Sequence, residues 1–455
     1  MADFFKTNKK LIFIFFLSVF FQLVLFSITY YKRGFETYLS AMADSAGYKQ
    51  IALNIINHQT FSLSEKAPFE SSNLRTPIYP LWLALIFIIF GSFVPAIFIG
   101  ILVFALSAPL TYLIGKEIFN EKIRLVASVL LILEPWSAFL GSFLLTEQIF
   151  VIVFLLSIYF FIKYLKYGLN KNIYISASLF SISTLVKPNV IYLFPALIIF
   201  LILFRKYVKG LTLKTLIIVA VIFIIIIAPW LVRNKIVLDS WQISSVQGFN
   251  LYVTNFNALQ VYLGNFKNLN DGYARANKIT EGFSVASTKG SEILTKEAVK
   301  GISNNLFAYI KISILSLPNF FINNSYGSIA YYWGVKDFKI QSQFRNLIKA
   351  GDWRNLLEIL RSLSWSATIL LFSAAIWPVI TVFSLLGFFV AWKKFPESRI
   401  MIFSFLLIIF YFAAIATFSL DQPRYRLPVQ PLILLFTATG LIYLARKIFN
   451  KGNLN

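Results

Sequence analysis

The chain has no cysteine, and its 455 residues include a single histidine, His58. Without thiols neither a disulfide framework nor a thiolate metal site can form, and one imidazole does not make a transition-metal centre. His58 reads as a surface residue. No glycine-rich phosphate cradle is present. The loops that read as cytoplasmic are too short to hold a nucleotide-binding domain, which argues against ATP or a nucleotide sugar as direct substrate. No internal repeat or low-complexity tail is visible. Charged residues make up only 13% of the chain, and acidic ones are scarce, 19 against 42 Lys and Arg.

What fills the chain instead is apolar: 58% hydrophobic and 18% aromatic residues. That excess cannot be hidden in one soluble core, so lipid must be the solvent for much of it. The net charge of +23 would suggest nucleic acid on a soluble protein. Here Lys and Arg are spread over short turns between apolar runs, which makes them a topology signal and argues against a nucleic-acid partner. The sequence predicts an all-α polytopic membrane protein with about ten spanning helices, each needing about 20 apolar residues.

The first apolar run, 11–30, is too long for a signal-peptide core and lacks a clear small-residue cleavage site, so it reads as a retained helix. Further runs lie at 78–92, 94–115, 125–141, 148–162, 172–186, 190–204, 215–231, 366–392, 400–419 and 427–445. Lys6, Lys9 and Lys10 precede the first helix and place the N-terminus in the cytoplasm. The basic turns around 116–124, 163–171, 205–214, 393–399 and 446–447 should then also lie inside. Parity requires one of the two runs between 77 and 116 not to cross. The shorter one, 78–90, is near the length of an interfacial or re-entrant piece and ends at Gly91-Ser92. Assigning it to the outer interface leaves both termini cytoplasmic. Lys32 and Arg33, just outside the first helix, break the rule.

This divides the chain into a transmembrane catalytic module at 1–232 with a first outer loop at 31–77, an extracytoplasmic lobe at 233–364, and C-terminal transmembrane helices at 365–455. In the first loop Tyr48, Ile51, Ala52, Ile55 and Ile56 recur at helical spacing, the pattern of an amphipathic helix at the interface. Asp44 begins it. A carboxylate there can simply cap the helix, or, held ionised and aimed, can serve as a general base. Glu147 follows Thr146 at the outer end of a spanning helix, where a carboxylate is costly unless it meets water or a partner. Arg75, Lys187, Arg233, Arg424 and Arg426 all fall at outer helix ends. Any one alone could snorkel. Together they run against the charge bias of that side, and an anionic ligand at the outer interface explains them, since Arg binds phosphate bidentately and Lys supplies a point charge.

These residues sit in segments that resemble the C-type membrane glycosyltransferases, particularly the bacterial branch related to protein O-mannosyltransferases and lipid A aminoarabinose transferases. Asp44-Ser-Ala-Gly-Tyr48 is similar to that family's first-loop Asp motif. Arg75-Thr-Pro-Ile-Tyr79-Pro80 is similar to its basic-Pro-x-Tyr-Pro segment, Thr146-Glu147 to its Thr-acid pair, and Lys187-Pro188 to a basic residue ahead of proline. Pro229-Trp-Leu-Val-Arg-Asn234 and Arg424-Tyr425-Arg426-Leu-Pro428 match two more segments. The resemblance implies transfer of a sugar from a polyprenyl-phosphate donor to an acceptor lipid, glycan or protein, at the outer face of the cell membrane. Asp44 would be the base, and inversion follows if the acceptor attacks opposite the phosphate. The basic residues would stabilise the departing phosphate. Glu147 would orient Asp44, the acceptor or a cation, and Tyr48, Tyr79 and Tyr425 would support the site. Some aminoarabinose transferases hold a structural zinc through a Glu and two His. Here Leu74 precedes Arg75 and the sole His is elsewhere, so no metal or other cofactor is carried over.

Two other readings use the same outer cations: a transporter or flippase of an anionic polyprenyl lipid, and a lipid-linked glycan polymerase or ligase. Alternating access usually comes with repeated halves, which this chain lacks. The first-loop Asp and Arg-Thr-Pro motifs weigh against the polymerase.

Overall fold

The computed structural model describes residues 2–40, 42–280, 282–419 and 422–449. The chain is all-α: among these residues the only β pairing is an isolated bridge between Ser62 and Ser71. Among the described residues seven helices are long and apolar enough to span a bilayer: Asn8–Arg33, Val94–Lys116, Glu147–Tyr167, Leu213–Leu238, Trp365–Lys394, Pro396–Ile415 and Gln430–Phe449. Val94–Lys116 and Glu147–Tyr167 are each 67% buried within the protein, against 22% for Leu213–Leu238 and 11% for Trp365–Lys394. The first pair is therefore central and the second pair offers its apolar faces to lipid.

About ten crossings were expected, and three of those runs, at 125–141, 172–186 and 190–204, form helices shorter than these seven, the second being Asn170–Val186. The run at 125–141 is not one unbroken helix. It breaks into Glu121–Ile132 and Pro135–Leu140, because the Glu134 carboxylate accepts from the Ser137 backbone N–H and Pro135 starts a new helix at its first position. The run at 190–204 opens with a 3₁₀ turn and continues as Leu193–Leu203, too short to cross alone.

The helix Ile78–Phe90 and the one that follows it share a partner in the packing. Tyr79, at the start of Ile78–Phe90, bonds Gln148 at 3.3 Å, and Gly100, in the second turn of the next helix, lies against the same Gln148 side chain. The 13-residue helix and its Gly91 turn thus bring the chain back to the level it left. At the opposite end of the bundle Lys10 pairs with Glu121, and Lys166 pairs with Glu117 at 3.1 Å. The first helix therefore starts beside the basic turns grouped with it from sequence. Lys6 lies outside the described side chains. Arg33 gains an explanation: its guanidinium donates to the carbonyls of Tyr331 (2.9 Å) and Tyr332 (3.1 Å), tying the first helix to the lobe.

Two helix pairs set the frame of the site. In the hairpin Glu147–Tyr167 and Asn170–Val186, Ser157 and Ser176 each donate to the other's carbonyl at 2.9 Å. In that antiparallel register Glu147, ten residues before Ser157, comes opposite Lys187, eleven after Ser176. The helices Ile376–Lys394 and Gln430–Phe449 cross at Gly387 and Gly440, where a Cβ on Gly387 would fall 1.7 Å from the Phe436 carbonyl oxygen. Small residues at the crossing let the two backbones touch, and this fixes where the preceding turn presents Arg424.

The lobe has its own apolar centre, Tyr252, Val253, Phe256, Ala276, Leu294 and Ala298. It is built from Val246–Asn250, a π-helical segment Leu251–Phe256, Leu269–Ile279 and Thr288–Asn304. The last of these turns by 95° into 306–322, and in the first part of that arm Phe307, Ile314 and Leu315 are exposed.

Candidate active site

The first-loop helix is Ala43–His58, with Tyr48, Ile51 and Ala52 buried along one face. That face meets the protein, not only the bilayer: Tyr48 stacks edge-on against Tyr79 at 4.9 Å between ring centroids. Asp44 does not cap this helix. The cap position is Met42, no side chain caps there, and the Asp44 carboxylate turns to two arginines. Arg75 Nη2 is 2.6 Å from Asp44 Oδ1 and Arg424 Nη1 is 2.8 Å from Oδ2.

Arg424 also reaches the second carboxylate, with Nε 2.5 Å from Glu147 Oε1 and Nη2 3.2 Å from Oε2. Lys187 Nζ donates to Glu147 Oε1 at 2.5 Å. Three cations from three separate turns thus interleave with two carboxylates. The turns are clamped together by their backbones. Thr76 Oγ1 donates to the Val186 carbonyl at 2.9 Å, and Ser244 Oγ of the lobe to the Leu74 carbonyl at 2.7 Å. Aromatic rings complete the cluster, with Arg75 5.0 Å from the Tyr48 centroid and Lys187 5.5 Å from that of Tyr425. Tyr79 stands behind Tyr48.

The cluster forms one wall of a cavity of about 420 Å³, within the usual range of roughly 300–1,000 Å³ for small-molecule sites. Another part of the lining belongs to the lobe, with Gln247, Phe249, Asn250, Thr254 and Tyr273. Two groups on the lining are buried without a hydrogen-bond partner among the described residues: Arg75 Nε and the Asn189 side-chain oxygen. An unpaired buried donor or acceptor costs about 1–3 kcal/mol, so each favours a ligand that can pair with it.

Electrostatics hold Asp44 ionised. Burial acts to raise its pKa, but Arg75 and then Arg424 outweigh it and keep the carboxyl below its ordinary 3.8. A depressed carboxylate stabilises the fold in full above the ordinary value, and that contribution is lost as pH falls through the lowered one. Lys187 goes the other way for a base: burial pushes its ammonium pKa down, with Glu147 opposing.

Arg233 and Arg426 are not brought to the cavity. Arg233 donates to the Ser72 carbonyl at 2.8 Å and stacks on Trp230 and Phe61, bracing the loop that carries Arg75. Arg426 is buried, lies 3.2 Å from the Trp377 ring centroid and donates to the Phe320 carbonyl at 2.6 Å. Beside it is a carboxylate that sequence reasoning passed over, Glu134, held by Tyr326 (3.0 Å) and Gln430 (3.1 Å). A lone Glu inside an apparently spanning run was the available signal. Adjacent arginines therefore part: Arg424 faces the cavity and Arg426 the protein interior. Arg426→Ala should lower stability by about 2 kcal/mol or more through the lost buried cation–π contact, without changing lipid-phosphate affinity. Thermal unfolding beside a polyprenyl-phosphate binding titration checks this, and weakened binding by stable protein would return Arg426 to the ligand site.

Residues 74–232 match the family model described as dolichyl-phosphate-mannose-protein mannosyltransferase. That segment carries Arg75, Glu147 and Lys187. The match agrees with the resemblance to C-type membrane glycosyltransferases seen in the motifs. No curated protein matches the chain in sequence. Among solved structures, it is similar to the archaeal oligosaccharyltransferase AglB from Archaeoglobus fulgidus, in complex with an inhibitory peptide and a dolichol-phosphate. The identity is 14%, over 96% of this chain and 52% of that one, at a TM-score of 0.45. The Archaeoglobus fulgidus oligosaccharyltransferase in the apo form gives 15% identity over 95% and 52%, at 0.43. The chain thus spans about half the length of the structures it matches.

Proposed function

We propose that this protein transfers a sugar from a polyprenyl-phosphate donor to an acceptor hydroxyl or similar nucleophile at the extracytoplasmic face of the cell membrane, with inversion. Asp44 is the general base, and Arg75, Lys187 and Arg424 hold the donor phosphate. In this reading 1–232 with the outer loop at 31–77 forms the catalytic module, 233–364 covers it as the lobe, and 365–455 supplies Arg424. The observation that carries it is the cluster on one cavity, in which Arg75, Lys187 and Arg424 interleave with Asp44 and Glu147 beside the buried, unpaired Arg75 Nε.

The chemistry follows from those charges. A phosphate is already a competent leaving group, so what lowers the barrier is stabilisation of the charge it gains as the C–O bond breaks. Fixed guanidinium and ammonium groups supply that without reorganisation. The acceptor attacks the anomeric carbon from the other side and gives its proton to Asp44, while the bonding pair of the broken C–O bond leaves with the phosphate. With both oxygens held by arginine, Asp44 is a weak base. The arriving phosphate draws Arg75 and Arg424 towards itself and raises the basicity of Asp44, so the base strengthens only when the donor is in place.

Arg75→Ala or Arg424→Ala should weaken binding of polyprenyl phosphate about tenfold or more, from lost charge-assisted bonds of about 1.5–3 kcal/mol. Lys at either position should restore only part of it, because the planar fork is gone. The check is a binding titration with purified protein in detergent. Unchanged affinity in both Ala variants would overturn the phosphate assignment.

A further inference from the structure

The lobe's wall of the cavity has a composition of its own. Gln247, Phe249, Asn250 and Tyr273 bring neutral amides and aromatic rings to the cavity, with no charged side chain among the described lobe residues that line it. Neutral amides pair with hydroxyls in both directions, and aromatic faces suit the apolar C–H faces of a pyranose ring. The Asn189 side-chain oxygen, buried and unpaired on the same lining, calls for a donor such as a hydroxyl.

This wall is stiff and tied to the cations. Val246–Asn250 approaches the Thr288–Asn304 helix so closely that a Cβ on Gly248 would lie 2.2 Å from Thr295 Oγ1. The chain then continues as the π-helical segment Leu251–Phe256, a rare geometry concentrated at functional sites, which re-aims the side chains that follow Asn250. Gln247 Nε2 donates at 3.3 Å to the Pro188 carbonyl, one residue from Lys187. Whatever is bonded directly to a phosphate held by Lys187 therefore meets this wall first.

Resting on the donor reading above, we infer that the lobe wall formed by Gln247, Phe249, Asn250 and Tyr273, with Asn189, is the subsite that reads the sugar of the lipid-linked donor. The charged cluster recognises the phosphate that all such donors share. The lobe distinguishes one glycosyl group from another.

The test compares bare polyprenyl phosphate with polyprenyl phosphates bearing mannose, glucose or galactose, titrated against the full-length protein. Wild type should bind at least one glycosyl phosphate more tightly than the bare lipid. Asn250→Ala and Asn189→Ala should each weaken that preferred ligand about tenfold, the loss of one or two hydrogen bonds, and leave the bare lipid within about twofold. Phe249→Leu, a milder change, should reduce the same preference. Equal affinity of wild type for all four lipids, or equal loss for bare and glycosylated lipid in the Asn variants, would overturn the subsite. Arg75→Ala separates the two ideas, since it should weaken all four lipids alike. If it weakens none, the phosphate reading fails whatever the Asn variants do.

Discussion

Asp44→Asn should slow the chemical step by about 10²–10⁴-fold, the usual contribution of a positioned base. The substitution keeps the shape of the side chain and one oxygen acceptor, so one arginine can stay bonded. The other loses a charge-assisted bond worth about 1.5–3 kcal/mol, although Arg424 keeps its hold on Glu147. Because the Asp44 side chain is 27% exposed, water softens that loss and the protein should remain folded. The assay is single-turnover release of sugar from a polyprenyl-phosphate donor, beside a thermal-unfolding control. Near-normal turnover in stable Asp44→Asn protein would remove Asp44 as base and make Glu147 the next carboxylate to test. Acid sensitivity gives a second readout. The arginines hold the Asp44 pKa below 3.8, so its ion pairs should survive to about pH 4 and fail only below it.

Glu147→Gln should be the more damaging change to stability. Glu147 is 1% exposed and holds Lys187 and Arg424 together, so its neutralisation removes the carboxylate that joins these two cations. Breaking a buried pair in this way costs about 3–5 kcal/mol. The same argument predicts a rescue. A bound phosphate replaces the missing anion, so polyprenyl phosphate should raise the unfolding temperature of Glu147→Gln more than that of wild type. A ligand that binds only the folded state at about a hundred times its Kd adds about 2.7 kcal/mol. Equal shifts in the two proteins would mean that the phosphate does not meet Lys187 and Arg424.

The two variants also separate roles that the sequence left joined. Asp44 touches water and two arginines, whereas Glu147 is enclosed and fully engaged by cations. Enclosure suits a carboxylate that aims Arg424 and Lys187, and it leaves Asp44 as the carboxylate that an acceptor can reach. Burying Glu147 is affordable only because both partners are fixed by the helix pairs beneath them.

Composition and the length of the apolar runs determined that the chain is an all-α membrane protein, since so many apolar residues have no other solvent and runs near 20 residues satisfy their backbone in lipid as helices. Motif order brought Asp44, Arg75, Glu147, Lys187 and Arg424 to one face, because helix length and the positive-inside rule act locally and can be counted along the sequence. Only the tertiary structure decided which cations share a cavity. Arg424 and Arg426 are two residues apart in one short helix, yet the first meets Asp44 and Glu147 and the second meets Trp377 and Phe320. That parting depends on the neighbours each side chain finds across the bundle, which no local pattern records. The lobe wall was equally illegible. Gln247, Asn250 and Tyr273 carry no charge out of place and no spacing of their own, and they acquire meaning only where close packing at Gly248 and the Gln247–Pro188 hydrogen bond hold the lobe beside the charged cluster.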